Sequence, residues 1–266
     1  MTYIWKEWLE QTRSKGLWFG IGIVMLMSVF IFMEAKNSPM EHNFQAFLIS
    51  LHEMHVFLLP LLCLFLASFA VMQEKELKTL MMIVTKKESY RTFLFKKAIA
   101  VNTIILGLFI GWYFLLAITM KLFLSFEVGE FLAFLLTVIV FILIFNQIGF
   151  FIGTLCSNRM QAVGLIVFVW FLFIFLFDLV LLYQLPGVTH ENIFLFSIVF
   201  FLQPLNTLRL YLETSVGVFS LEYMSSLMDR LIWLSPASFL MLNLLLFIVV
   251  FFELAIWSKR KGLRHD

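Results

Sequence analysis

The sequence predicts an all-α polytopic membrane protein with six transmembrane helices, an N-terminal interfacial helix and short outer helices before the last span. Three observations predict it. First, six apolar segments, at 17–33, 56–72, 98–120, 131–155, 162–183 and 232–257, each approach or exceed the ~20 residues a helix needs to cross a ~30 Å hydrocarbon core. Second, a hydrophobic content of 62% and a mean hydropathy of +0.98 exclude an ordinary soluble domain. Third, positive charge is one-sided. Of the 19 Lys and Arg, all but Lys36, Lys121, Arg209 and Arg230 fall in the N-terminus, the segment after span two, the turn after span four, and the tail. The positive-inside rule then places both termini in the cytoplasm, consistent with an even number of crossings of the cell membrane. Basic residues along a membrane surface do not make a nucleic-acid interface.

The chain reads as one transmembrane domain over 1–266, with no linker to a second. Residues 1–16 hold an amphipathic helix, with Ile4, Trp5, Trp8, Leu9 and Thr12 at helical spacing and the tryptophans at headgroup depth. The segment 17–33 is a retained first span, because 34–38 offer no small-residue cleavage site. The outer segment 34–55 carries Met40, His42, His52, Met54 and His55. Thioethers suit Cu(I) and imidazole suits either copper state, so these five are the candidate metal ligands; solvated loop side chains are the plainer reading. Short turns at 121–130 and 157–161 join spans three, four and five. Cys63 lies inside span two and Cys156 at the inner end of span four, with neither disulfide nor metal spacing.

Intramembrane polar groups are few. Asn146 and Gln147 in span four are expected to hydrogen-bond between helices. Asp178 falls about 16 residues into span five, so ~24 Å from its inner end. It reads either as a polar contact in a permeation path or dimer interface, or as an acid paired with a base such as Arg209. Glu253, one turn from the inner end of span six, is placed to snorkel beside Lys259 or Arg260. The long outer region 184–231 opens with a Pro186-Gly187 turn and offers Thr189 as a helix N-cap. Its apolar run 192–202 is too short to span, and Pro204 breaks it before a helix at 205–213.

The segment 73–97 carries the most chemistry. Glu74 and Glu76 stand at the inner end of span two, Leu77, Leu80, Met81 and Val84 form an apolar stripe, and seven cations are interspersed. Such a segment either lies on anionic lipid or docks a partner protein. It resembles the signature of type 2 ABC permeases: an acidic pair, Gly-Thr-Leu, an apolar run, Thr-Ser-Pro, a Ser and a Gly-Lys. Glu74, Glu76, Thr79, Leu80, Thr85, Ser89 and Lys97 match in register, while Lys78, Lys87 and Lys96 depart. The six-span layout and the flanking helices are similar to that family too. A narrower likeness, in Asp178 and in the stretch Gln203-Pro-Leu-Asn-Thr-Leu-Arg-Leu210, is to the NosY-type permease subunit of the nitrous-oxide-reductase maturation transporter; Gln203 departs from its Asn.

The resemblance implies a cytoplasmic ABC ATPase gripping 73–97, a second permease copy, and an extracytoplasmic maturation protein on the outer helices. No G-x-x-x-x-G-K-[ST] occurs in the chain, so ATP and Mg would be bound by the separate subunit, and this chain would carry neither cofactor nor catalytic residue. With every histidine outside the six segments, a haem-bearing anchor is disfavoured. The alternatives are an exporter of a lipid, peptide or antibiotic, and a membrane anchor that transmits ATPase strokes without passing substrate.

Overall fold

A computed structural model describes residues 2–13, 15–37, 43–76, 89–218 and 230–262. The described residues are almost entirely helical and hold no strand. Helix α1 (Thr2–Thr12) precedes α2 (Lys15–Asn37), α3 (Asn43–Glu76), α4 (Tyr90–Phe123) and α5 (Val128–Leu155). A fifth long segment runs as α6 (Arg159–Phe171), a π-helical turn (Leu172–Leu176) and α7 (Phe177–Gln184). A bent pair, α8 (Ile193–Leu202) and α9 (Pro204–Ser215), and then α10 (Pro236–Gly262) complete the described chain. Among the described residues six helices are long and apolar enough to cross a membrane, and α8 and α9 meet at 95°.

The core is the α3–α5 pair. Both helices are apolar on most faces, as elements enclosed by others must be, and both bury most of their apolar windows. Two glycines set their separation. A Cβ on Gly149 would lie 2.8 Å from Ala67 Cβ, and one on Gly153 would lie 2.6 Å from the Ser68 carbonyl oxygen. Where lipid tails are as apolar as Leu, helices gain from such close backbone approach. By contrast α2 and the α6–α7 segment bury little and form the flanks.

The start of α3 and the N-cap of α8 differ from expectation. Helix α3 begins at Asn43, not near 56, and its 34 residues measure about 51 Å, well beyond the hydrocarbon core. Phe44, Phe47, Leu48 and Leu51 continue the buried stripe outward; His52 and Glu53 had depressed the local hydropathy without ending the helix. Pro60 sits within it, and its missing N–H loosens the ladder there; one turn earlier, the Phe57 carbonyl accepts the Trp170 indole N–H at 2.9 Å. The N-cap of α8 is Asn192, not Thr189: its side chain instead accepts from the Thr189 N–H and donates to the Gly187 carbonyl. The break at Pro204 falls as expected, because a proline has no N–H to continue α8.

Helix α1 turns its charge inward. Trp5, Trp8 and Leu9 are exposed while Glu7 and Gln11 are buried against the bundle. A helix that faces its own protein with carboxylates and the exterior with tryptophans is suited to lie along a membrane surface.

Candidate functional site on the basic face

One end of the bundle gathers α1, the ends of α3, α5 and α10, and the starts of α4 and α6. Polar links join them all. At the centre is Lys97, fully buried on the second turn of α4. Its Nζ lies 2.7 Å from Glu7 Oε2 of α1 and 3.1 Å from Glu74 Oε1 of α3. Lys6 approaches Glu74 and Glu10, each at 3.3 Å. Gln11 donates to the other Glu7 oxygen at 3.4 Å. Burial raises the Glu7 carboxyl above its ordinary value, against the pull of Lys97 and Gln11. Burial alone would lower Lys6, but Glu74 and Glu10 outweigh it and raise it. Stability contributed by Lys6 is present below pH 10.5 and is lost above it, while Glu7 favours the folded state on the acid side and less as pH climbs from 4.5.

Around this cluster the remaining helix ends are tied. Lys75 Nζ donates to the Thr154 and Cys156 carbonyls, at 2.7 and 2.8 Å, capping the C-terminus of α5 with a cation. Arg159 of α6 forks onto Glu76, with Nε 2.7 Å from Oε1. Arg91 of α4 reaches Glu253 of α10 at 2.6 Å, so Glu253 pairs across helices; the side chains of Lys259 and Arg260, beside which it was expected to snorkel, lie outside the described residues. Ser89 is the N-cap of α4, its Oγ accepting from the Thr92 N–H at 3.2 Å.

Four of the seven positions matched in 73–97 are therefore placed. Glu74 and Lys97 meet in the buried cluster, Glu76 faces Arg159 at the surface, and Ser89 caps a helix. Thr79, Leu80 and Thr85 lie outside the described residues. Glu7 was missed from sequence, although its place on the polar side of an amphipathic helix held the signal.

The opposite end has its own polar groups. Asp178 is exposed on α7 and does not pair with Arg209, which instead engages Glu53 of α3 and Glu213, the latter at 3.3 Å. Asp178, Arg209 and Glu213 line a cavity of about 430 Å³. His52, Met54 and His55 are buried in α3 and are not loop residues, which corrects their placement in an outer loop. The Tyr113 hydroxyl of α4 bonds His55 Nε2, while His52 Nε2 and His55 Nδ1 have no hydrogen-bond partner among the described residues. Met40 and His42 lie outside the described residues. Asn146 Nδ2 donates to Asn102 Oδ1 on α4 at 2.7 Å, linking spans three and four; Gln147 is buried beside it on α5.

Gln203, at the bend of the α8–α9 pair, was noted in the sequence only as a departure. It is fully buried, donates to the Phe173 carbonyl at 2.7 Å, and accepts from Asn206 at 2.6 Å. Phe173 lies in the π turn, where the α ladder is interrupted and a carbonyl is open to an outside donor. The bend is fixed further by Thr207 and Asn243, which bond each other at 2.9 Å and both reach the Phe201 carbonyl. No family model matches the chain, and no curated protein matches it in sequence.

Proposed function

We propose that this chain is the membrane subunit of an ABC transporter, moved by a separate ATPase that docks on the segment between α3 and α4. One observation carries the reading. Glu74 and Lys97, at the two ends of that segment and 23 residues apart, close on each other in a buried ion cluster with Glu7. The segment is thus held at a stiff base, and a push on it is delivered to α1, α3 and α4 together. The outer links to α5, α6 and α10 carry the displacement to those three spans as well. On this reading the basic face is cytoplasmic and ATP and Mg belong to the partner. Two copies assemble into a twelve-helix unit. The narrower assignment, to copper-centre assembly of nitrous-oxide reductase, rests on Asp178 and the 203–210 stretch, with a maturation protein seated at the α8–α9 end.

The test is co-purification of the full chain from its native membrane. An ABC-class ATPase should accompany it. Glu76→Lys should insert normally yet lose the ATPase, and the exchanged pair Glu76→Arg with Arg159→Glu should recover it, if Glu76 acts through Arg159. A wild-type chain that brings down no such ATPase would sink the proposal. Orientation has a separate check. A reporter active only outside the cell should be silent after Asp266 and active when inserted at Val188; the reverse pattern rejects the placement of both termini.

A further inference from the structure

A groove of about 420 Å³ runs between α2 and α3 and meets the edge of the ion cluster at Glu10 and Gln11. Its walls are apolar throughout, from Phe19 to Val24 on α2 and from Leu58 to Ala70 on α3. The polar groups lining it, Glu10, Gln11 and Gln73, gather at the basic end. The two helices touch at Gly20, where a Cβ would stand 1.9 Å from Leu62 Cδ1, so the leucine tip occupies the space that a larger residue on α2 would fill.

The dimensions and charge fit one kind of occupant. Leu58 to Gln73 spans 15 helical residues, about 22 Å, or half of a ~40–45 Å bilayer with its headgroups. Polarity at one end only matches a molecule with one polar end. Gly16 lines the mouth, and the exposed Arg13 and Lys15 stand within three residues of it in the sequence, cations of the kind that attract anionic headgroups. The acid at the mouth, Glu10, is already engaged by Lys6.

We propose that this groove holds one phospholipid of the leaflet at the basic face, an acyl chain lying along the α2–α3 seam and the phosphate beside Arg13 and Lys15. This site is independent of coupling to an ATPase.

Photolabelling of the full chain tests it, in vesicles of phosphatidylethanolamine and phosphatidylglycerol. Trace phosphatidylglycerol would carry a diazirine either at the end of its acyl chain or next to the ester. The chain-end probe should label α3 near Leu58 and Leu61, and the ester-proximal probe should label near Phe69 and Gln73. Labelling should saturate at a single lipid per chain. Val24→Phe and Ala70→Phe fill the groove and should each lower its labelling about tenfold, as expected for roughly two fewer buried methylenes. Labelling of the exposed Phe168 and Leu179 flank should stay unchanged and report that the variants fold. Arg13→Glu with Lys15→Glu should weaken the anionic probe more than a zwitterionic analogue. Labelling that follows exposure alone, without depth order, overturns the proposal even if neither filled variant folds. So does cross-linking of this groove to a helix of a second copy.

Discussion

Lys97→Met should be the most damaging single change on the basic face. It leaves Glu7 and Glu74 buried without the cation that stands between them. Breaking a buried pair in this way costs about 3–5 kcal/mol, against a total stability of about 5–15 kcal/mol for a typical domain. Thermal unfolding of the purified chain should show a large fall in Tm, with much of the protein aggregated. Adding Glu7→Gln and Glu74→Gln to Lys97→Met should recover most of the loss, because no charge then remains buried at the cluster's centre. The triple variant also separates structure from transmission. If, as proposed, an ATPase acts on α1, α3 and α4 through this cluster, the triple variant should fold yet support the partner's ATP hydrolysis poorly. Wild-type Tm in Lys97→Met alone would show that the carboxylates find water or another cation.

Gly153→Val should be nearly as harmful, for a steric reason. The new Cβ would meet backbone, with the Ser68 carbonyl oxygen at 2.6 Å and Ser68 Cα at 3.0 Å. Backbone cannot rotate aside as a side chain can, so α3 and α5 must part along their most closely packed stretch. Overpacking of a well-filled core costs about 1–3 kcal/mol and occasionally more. Gly153→Ala should show most of the effect. Gly107→Ala and Gly111→Ala on α4 are the controls, since a Cβ at either meets nothing within 4 Å. Those two should be neutral or should stabilise by up to ~1 kcal/mol. Equal Tm values for Gly153→Ala and Gly107→Ala would dismiss the close α3–α5 approach.

What the sequence revealed, and what it hid, divides along physical lines. Apolar runs of membrane length and a proline at a helix break are local signals, and the six long helices and the bend at Pro204 were legible from them. The start of α3 was not. Hydropathy is an average, and a helix that enters polar surroundings while still packing one stripe inward lowers that average before it ends. His52 and His55 were misplaced for that reason. Glu74 and Lys97 were noticed but read as surface contacts, because a charge looks solvated until its partner is known, and Glu7 lies 90 residues from Lys97. The Gly149 and Gly153 spacing was open to reading as a small-x-x-x-small contact. The π turn gave no sequence signal that we can identify; its outside donor, Gln203, is 30 residues away.

The Glu7–Lys97 pair also sets an order on biosynthesis. Glu7 leaves the ribosome long before its cation exists. At about 5–20 residues per second, the 90 intervening residues take on the order of ten seconds to make. During that interval the acid cannot be buried without its counter-charge, so the first helix must wait beside the bilayer in contact with water. Trp5 and Trp8 are suited to keep it there, moored at the surface and neither inserted nor adrift. Docking of this helix is therefore a late event, licensed only when the third span has arrived.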